Sequence, residues 1–240
     1  MSDKSIAVLI PCYNEEPTIG KVVDDFREAL PDANVYVYNN NSTDNSEAIA
    51  KEHGAILVDC SLQGKGATVQ QMFRDIDADL YLMVDADDTY PVDYASQLLD
   101  GVQSYDCDMV IGDRLSANYY QDNKRRFHGF GNALVKFLVN KMYGGKAVDI
   151  TSGNTVIVTD IMTGYRVFNK KFVKGIDLKS NGFEIETEMT IKALQKGYKI
   201  GTMPVSYRDR PEGSYSKLST FSDGKKVLKM IFSLYKTKGE

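Results

Sequence analysis

The sequence contains no tryptophan, and it has only three cysteines and two histidines in 240 residues. Hydrophobic residues make up 42% and charged residues 26%, proportions that exclude a disordered chain, a collagen and a disulfide scaffold. Cys12, Cys60 and Cys107 lack the paired spacing of a metal site, so we expect small buried residues in a reducing compartment. No apolar run approaches the ~18 residues that a membrane span needs.

The charge is distributed unevenly along the chain. Residues 1–113 hold 6 basic and 22 acidic side chains, a net charge of −16, whereas residues 114–240 hold 23 basic and 11 acidic side chains, a net charge of +12. An acidic half suits a divalent cation and a basic half suits an anionic partner, although solvated helix faces are the alternative explanation. The overall net charge of −4 gives no reason to expect a nucleic-acid partner.

Strand-like and helix-like segments alternate through the first half. The pattern predicts buried strands at 5–11, 35–38, 55–58, 80–84 and 108–111. It predicts helices at 16–30, 67–76 and 91–103, and a further helix that is capped by residues 42–46 and runs to about residue 52. Such βα repeats indicate an α/β fold with a Rossmann-like, mostly parallel sheet covered by helices on both faces. Ligands of these sheets bind at the carboxyl ends of strands, where polar clusters stand at 11–15, 39–44, 85–88 and 112–114.

Three carboxylates, Asp85, Asp87 and Asp88, directly follow the fourth predicted strand. Carboxylates this close repel one another unless a cation lies between them. An oxygen-only cluster suits Mg²⁺ or Mn²⁺, with phosphate oxygens completing the coordination. The alternative is an acidic turn that caps the next helix, but the position after a buried strand favours metal binding by Asp85 and Asp87.

The ends of the first two predicted strands suit a nucleotide. Tyr13 can stack on a base, Glu15 can accept hydrogen bonds from base or ribose, and the polar run Asn39–Asp44 can do the same; turns and helix caps are the alternatives. The sequence has no G-x-G-x-x-G motif, and Gly64–Gly66 lacks the frame of a P-loop, so a dinucleotide dehydrogenase and a P-loop enzyme are disfavoured.

In their order along the chain, these segments resemble the family 2 glycosyltransferases of GT-A fold. The resemblance is carried by P-C-Y-N-E-E, N-N-N-S-T-D, G-K-G, D-A-D-D, G-D-R and D-I-M-T-G-Y, and it runs from Ser5 to about Lys226. The likeness is greatest to the branch that contains dolichyl-phosphate mannose synthases and bacterial polyprenyl-phosphate glycosyltransferases. It implies inverting, Mg²⁺- or Mn²⁺-dependent transfer of a sugar from a UDP- or GDP-sugar to a dolichyl or undecaprenyl phosphate.

The resemblance also implies roles for individual residues. Nucleotide binding falls to Pro11, Tyr13, Glu15, Asn39 and Asp85, metal binding to Asp85 and Asp87, and catalysis to Asp87, Arg114 and Arg126. The acceptor phosphate would face Arg114, Arg125, Arg126, Arg210 and Lys217, with no choice made between the two adjacent arginines. The chain departs from the family pattern where Asn39–Asn41 replaces D-D-G and where Thr89 replaces a glutamine common in mannose synthases.

Two segments leave their alignment or role open. Asp149–Gly153 and Asp160–Gly164 are near repeats; we align Asp160 with the family and treat 151–159 as an insertion with a short strand at 156–158, the alternative being alignment through Asp149. Three glutamates at 184, 186 and 188 begin a predicted helix. One of them could be a base or a supporting carboxylate, or all three could be a favourable acidic first turn.

A phosphate acceptor simplifies the expected chemistry. With a second pKa of ~6, a phosphate monoester is largely dianionic at neutral pH, so it needs positioning by cations more than it needs a general base. Processive relatives that transfer to hydroxyls typically carry a Q-x-x-R-W segment, and the absence of tryptophan therefore favours the phosphate acceptor.

The predicted organisation is a GT-A domain over 1–220, with a nucleotide-sugar and metal half at 1–113 and an acceptor half at 114–220. A basic amphipathic helix over 221–240 suits the surface of an anionic membrane, or packing on the domain's own core. We expect a cytoplasmic location, with a membrane surface or membrane-protein partner, and a homo-oligomer stays open. The alternative functions are a soluble transferase to hydroxyl groups in glycan or cell-wall polysaccharide synthesis, and a non-catalytic nucleotide-sugar-binding subunit.

Overall fold

The computed structural model describes residues 4–116 and 126–236, apart from the side chains of residues 126–130 and 220. The strands in these ranges are β1 (Ile6–Cys12), β2 (Asn34–Asn39), β3 (Ile56–Asp59), β4 (Leu80–Met83), β5 (Met109–Asp113), β6 (Lys146–Asp149), β7 (Thr155–Ile157), β8 (Arg166–Asn169) and β9 (Ile200–Pro204). The helices are α1 (Ile19–Ala29), α2 (Ser46–Glu52), α3 (Lys65–Asp75), α4 (Ala95–Ser104), α5 (Arg126–Tyr143), α6 (Lys170–Gly175), α7 (Ile185–Gln195) and α8 (Thr220–Lys236).

All these strands join one sheet in the order β3-β2-β1-β4-β8-β5-β9-β6-β7. The pairs β1–β2, β1–β4, β2–β3, β5–β9 and β6–β9 are parallel. Strand β8 lies antiparallel between β4 and β5, and β7 adds an antiparallel edge. The predicted mostly parallel sheet is therefore confirmed, and a strand from the second half of the chain is inserted into the first half's set.

Side chains alternate between two cores, one on each face of the sheet. In β1, Ala7 and Leu9 pack on one face with α3, α5, α6, α7 and α8, whereas Val8 and Ile10 pack on the other with α1, α2 and α4. This alternation follows from the two-residue period of a strand, and burial on both faces explains the continuous apolar sequence of β1 and β4.

Two predicted helix starts differ from the observed ones. The helix expected at 67–76 begins earlier, at Lys65, so this lysine lies in the first turn of α3 rather than in a preceding loop. The helix expected at 91–103 begins at Ala95, after a short 3₁₀ turn at Val92–Tyr94 that follows Pro91. Helix starts are set by local packing and capping, which a hydrophobic pattern locates only approximately.

The predicted insertion forms the edge of the sheet. Strands β6 and β7 pair as a hairpin, and Asp149 accepts hydrogen bonds from Thr151 and Ser152 in its turn. The strand expected at 156–158 is β7, one residue earlier.

The C-terminal helix α8 packs on the domain through one side. Val227 and Ile231 are buried, and the Tyr143 hydroxyl donates to the Ile231 carbonyl at 2.5 Å. Phe221, Phe232 and Tyr235 remain exposed, at 88%, 48% and 48%. Within residues 4–116 and 126–236, no helix has the length and apolarity that a bilayer crossing requires.

Candidate active site

A cavity of about 570 Å³ opens at the carboxyl ends of β1 and β4. Its walls combine Pro11–Tyr13 and Asp85–Asp87 from the first half of the chain with Arg114, Phe183 and residues 207–210 and 216–218 from the second. The cavity thus lies where open α/β sheets bind ligands.

The strand ends around the cavity turn sharply. Asn14, Asn41 and Asp88 follow β1, β2 and β4 and have positive φ angles of 51°, 61° and 54°. Asparagine and aspartate tolerate this left-handed conformation better than other side chains that carry a β-carbon. Strained backbone of this kind clusters at functional sites, and here it terminates three strands beside one cavity.

Two buried carboxylates stand at one end of the cavity. Asp87 is 3% exposed; its Oδ1 accepts from the Thr89 hydroxyl at 2.6 Å, and its Oδ2 faces Arg210 Nη2. Burial raises the pKa of Asp87, and the nearby Asp85 carboxylate adds to this shift. Glu15 is 6% exposed and accepts from the Ser214 hydroxyl at 2.7 Å. The site is therefore rich in buried negative charge.

The floor of the cavity is a triad of ion-paired side chains, with Glu186 buried and Lys65 and Asp85 partly buried, and the sequence did not predict that these three would meet. Lys65 Nζ lies 2.5 Å from Asp85 Oδ1 and 2.6 Å from Glu186 Oε1. Burial lowers the pKa of Lys65, but the two carboxylates outweigh burial and leave that pKa raised. Burial also raises the pKa of Glu186. Of the three glutamates that begin α7, Glu186 alone lines the cavity.

Glycines explain how Lys65 reaches the floor. A β-carbon on Gly64 or Gly66 would lie 2.2 Å from the Asn181 carbonyl oxygen or 2.1 Å from the Ser180 carbonyl oxygen. The start of α3 can therefore touch the segment before α7 only because both positions lack side chains. The G-K-G spacing was the available signal for this contact, since two glycines flanking a lysine permit close backbone approach.

Arg114 is held by a carboxylate of its own half. Its Nε and Nη2 lie 2.7 and 2.9 Å from the two Asp160 oxygens, a bidentate pair, and its guanidinium stands 5.1 Å from the Tyr207 ring centroid. Asp160 is 1% exposed, whereas Asp149 lies in the β6–β7 hairpin. Asp160 therefore lies against Arg114 at the cavity wall and Asp149 does not, and the alignment through Asp160 stays a prediction.

Arg210 and Lys217, which the sequence predicts to bind the acceptor phosphate, instead contact the buried carboxylates of Glu15 and Asp87. Both cations belong to residues 207–218, a segment without helix or strand that we call the strap. Arg210 Nη1 lies 3.0 Å from Glu15 Oε1, and Lys217 Nζ lies 2.6 Å from the same oxygen. These positive charges are thus paired with acidic residues that the resemblance assigns to the nucleotide and metal.

The remaining predicted residues are placed as follows. Pro11 and Tyr13 line the cavity, and Tyr13 is 37% exposed, so its ring is accessible for stacking. Asn39 does not line it; its amide nitrogen lies 3.1 Å from Glu47 Oε2 and 3.2 Å from Asp59 Oδ1, and the cavity is lined by Asn40 instead. Arg125 lies outside the described residues, as does the side chain of Arg126.

Comparisons with known proteins decide the family. A sequence profile described as Glycosyl transferase family 2 matches residues 7–171. Glycosyltransferase AglJ of Haloferax volcanii is 33% identical over 97% of this chain and 73% of its own length. The chain is a family 2 glycosyltransferase. The predicted family and enzyme class are thereby confirmed.

Two further proteins are similar to this glycosyltransferase. A dolichyl-phosphate hexose transferase of Haloferax volcanii is 28% identical, with 94% of this chain and 92% of the relative covered. A crystal structure of glucosyl-3-phosphoglycerate synthase from Mycobacterium tuberculosis, with Mn²⁺, UDP-glucose and phosphoglyceric acid, has a TM-score of 0.72 and 17% identity, covering 98% of this chain and 80% of that one. The second likeness confirms the GT-A fold.

The carboxylates at the cavity suit a metal ion whose remaining ligands are phosphate oxygens of the substrate. Asp85 and Asp87 supply carboxylate oxygens, the ligand type that Mg²⁺ and Mn²⁺ prefer. Among the described residues, no cluster of three or more acidic, histidine or cysteine side chains is arranged to hold a metal alone. Mg²⁺ is commonly held by one or two carboxylates plus substrate phosphates, so two aspartates fit such an ion in the presence of a diphosphate.

Proposed function

We propose that this glycosyltransferase transfers a sugar from a UDP- or GDP-sugar to a polyprenyl phosphate. The observation that carries the proposal is the composition of one continuous cavity. The cavity is lined by the carboxylates of Glu15, Asp85 and Asp87, which we call its acidic end, by the cationic side chains of Arg114 and Lys226, and by the apolar side chains of Met162, Phe183 and Leu218. A phosphate joined to a hydrocarbon chain needs such a mixture of cations and apolar surface.

At the acidic end, we propose that Tyr13 stacks on the base and that Glu15 accepts hydrogen bonds from the nucleoside. Asp85 and Asp87 would hold a Mg²⁺ or Mn²⁺ ion against the diphosphate. When bound, the ion would neutralise the negative charge that grows on the departing diphosphate. Lys65 orients Asp85, because its ammonium group lies 2.5 Å from Oδ1.

The transfer is a single displacement at the anomeric carbon of the sugar. An oxygen of the acceptor phosphate forms the new bond, the bond to the diphosphate breaks, and the nucleoside diphosphate leaves with the electron pair. Attack from the face opposite the leaving group inverts the anomeric configuration. A dianionic phosphate needs no proton removed, so positioning is the main requirement on the acceptor side.

We propose that Arg114 positions the acceptor phosphate. Its bidentate pair with Asp160 fixes the guanidinium plane at the cavity wall, and arginine's remaining N–H groups can still donate. Arg125 and Arg126 remain candidates from the sequence for the same phosphate. The naming of a similar Haloferax volcanii protein as a dolichyl-phosphate hexose transferase supports this acceptor class.

A hydroxyl acceptor is the second candidate, and Glu186 is the observation that favours it. This carboxylate lines the cavity and has a raised pKa, as a general base requires. The ammonium of Lys65 lies against Glu186 Oε1 at 2.6 Å, however, and opposes proton uptake. We therefore place the phosphate acceptor first.

We further propose that α8 rests on a membrane surface. Its exposed aromatic residues, Phe221, Phe232 and Tyr235, are accompanied by the exposed lysines Lys225, Lys229 and Lys236. Aromatic side chains flanked by lysines suit the headgroup layer of an anionic membrane. A polyprenyl acceptor would then be reached from the cytoplasmic face.

The test is a partition assay with radiolabelled UDP-glucose and GDP-mannose, Mn²⁺, and either undecaprenyl phosphate or water-soluble acceptors. We expect label to enter the organic phase only with the lipid phosphate, and Asp87→Asn to abolish it. Transfer to soluble acceptors alone would establish the hydroxyl reaction instead. Donor binding without turnover on any acceptor would contradict both reactions and favour a non-catalytic subunit.

A further inference from the structure

The strap packs on the core through Tyr207, and the Arg208 backbone N–H donates to the Thr89 carbonyl at 2.9 Å; from Arg210 onward the strap is attached to the acidic end of the cavity by polar contacts. Ser214 Oγ donates to Glu15 Oε2 at 2.7 Å, Lys217 Nζ donates to the Asn14 carbonyl at 2.6 Å, and Arg210 Nη1 donates to Ser214 Oγ at 3.0 Å. The strap has no helix or strand of its own. The position of residues 210–218 therefore depends on a small number of exchangeable contacts.

Arg210 makes the contact that matters most for the chemistry. Its guanidinium joins Glu15 through Nη1 and Asp87 through Nη2. The side chain of Arg210 is 20% exposed and that of Asp87 is 5% exposed, so the pair is largely shielded from water. A shielded pair of opposite charges in direct contact resists separation more than a surface pair does.

Both oxygens of Asp87 are already engaged. Oδ1 accepts from Thr89, from its backbone nitrogen at 3.2 Å and its hydroxyl at 2.6 Å, and Oδ2 faces the guanidinium. Thr89 is fully buried beside Asp87 and belongs to the same turn. A divalent ion that binds Asp87 would therefore compete with Arg210 for Oδ2. The ion and the guanidinium would also repel each other, because both carry positive charge and both would touch the same carboxylate.

We propose that Arg210 is an internal counter-ion that holds the cation position at Asp87 in the donor-free chain, and that a divalent ion must detach Arg210 and loosen the strap in order to bind there. This inference rests on the proposed metal position. Attachment of the strap then weakens metal binding, and metal binding weakens attachment of the strap by the same factor. The diphosphate of an arriving donor offers the detached guanidinium a new anionic partner.

The first experiment measures Mn²⁺ binding to the donor-free chain, with free Mn²⁺ detected by electron paramagnetic resonance. Arg210→Gln removes the competing charge, and we expect the dissociation constant to fall about tenfold, within the usual range of such couplings. Arg208→Gln is the matched control, because Arg208 lies on the same strap but reaches Asp88 at 3.8 Å and Asp93 at 3.9 Å. We expect the control to stay within about twofold of the unchanged chain.

Unchanged or weaker Mn²⁺ binding in Arg210→Gln would overturn the inference. Equal tightening in both variants would also overturn it, because a general loss of positive charge would then explain the effect.

Ser214→Ala provides a variant that keeps every charge. It removes one partner of Arg210 and one of Glu15, so it should loosen the strap and tighten Mn²⁺ binding by a smaller factor. In the unchanged chain, added Mn²⁺ should speed hydrogen exchange of the amides of residues 207–218. Mn²⁺ binding without faster exchange there, or unaltered affinity in Ser214→Ala, would contradict the coupling.

The inference and the proposed function fail differently. If no variant binds Mn²⁺, even with UDP or GDP added, the metal site at Asp85 and Asp87 is wrong and the inference falls with it. If Mn²⁺ binds with the nucleotide and supports transfer but ignores Arg210→Gln, the enzyme assignment stands and only the counter-ion role is lost.

Discussion

The floor of the cavity and the strap balance charge by similar ion pairs but hold them in different ways. On the floor, Lys65 and Glu186 project from the first turns of α3 and α7, and glycines fix these helix starts against each other. On the strap, Arg210 and Lys217 project from a segment without regular structure. We therefore expect the floor pairs to stay fixed and the strap pairs to exchange for a ligand.

The largest expected effect is on the rate of sugar transfer and comes from Asp87→Asn. This variant removes the negative charge that the proposed divalent ion and Arg210 both contact. A metal ion contributes several kcal/mol of charge stabilisation in a transition state, so we expect the rate to fall by about 100-fold or more. Product formation under saturating donor and lipid measures the loss.

Asp88→Asn is the matched control for that variant. Asp88 pairs with Lys21 at 2.9 Å and, unlike Asp87, does not line the cavity. We expect at least half of the activity to remain. Similar losses in the two variants would contradict a special role for Asp87.

The next effect is on stability and separates floor from strap. Lys65→Met leaves Asp85 and Glu186 without their buried cation, and breaking such a pair costs about 3–5 kcal/mol in free energy of unfolding. Lys217→Met leaves Glu15 paired with Arg210 and should therefore cost less, about 1–2 kcal/mol. Urea unfolding of the two variants checks the difference, and equal losses would show that the floor is no more fixed than the strap.

A smaller loss of stability should follow from Gly66→Ala. The new methyl group would meet the Ser180 carbonyl oxygen, and such overpacking costs about 1–3 kcal/mol. Gly224→Ala, in α8 with nothing near its β-carbon, should instead stabilise the fold by about 0.5–1 kcal/mol. Thermal unfolding measures both; a neutral Gly66→Ala would indicate that the start of α3 can move as freely as the strap.

The smallest effect concerns the helix into which the strap leads. Phe232→Ser should weaken binding of the chain to anionic vesicles several-fold, because it removes one exposed aromatic side chain from α8. Ile56→Ser is the control, since Ile56 is equally exposed, at 44%, but lies on edge strand β3. Co-sedimentation with vesicles measures both variants, and equal binding would leave α8 with a packing role only.

The fold was predictable where local patterns determine structure. Buried apolar strands such as β1 and β4, each followed by a helix, specify a parallel sheet from neighbouring residues alone. The position of β8 between β4 and β5 was not predictable, because its four residues pair with strands that lie more than 50 positions earlier in the chain. Long-range pairing of a short strand leaves little trace in local sequence.

The candidate site was partly predictable for the same reason. Asp85 and Asp87 stood out because their position after a buried strand places them at a sheet edge. The contact between Lys65 and Glu186 did not, because it joins positions 121 residues apart; the sequence offered Glu186 only as one of three glutamates and Lys65 only as part of a G-K-G motif. The cations Arg210 and Lys217 were expected to face a phosphate, and their pairing with Glu15 depends on the path of a segment without regular structure.

The central claim is that Glu15, Asp85 and Asp87 bind a nucleoside diphosphate together with a divalent ion. Calorimetric titration of UDP and GDP into the chain, with Mn²⁺ and with EDTA, tests it most directly. We predict that at least one of the two nucleotides binds about tenfold or more tightly with Mn²⁺, and that Asp87→Asn removes this gain. Equal affinity in Mn²⁺ and EDTA for both nucleotides would contradict the account.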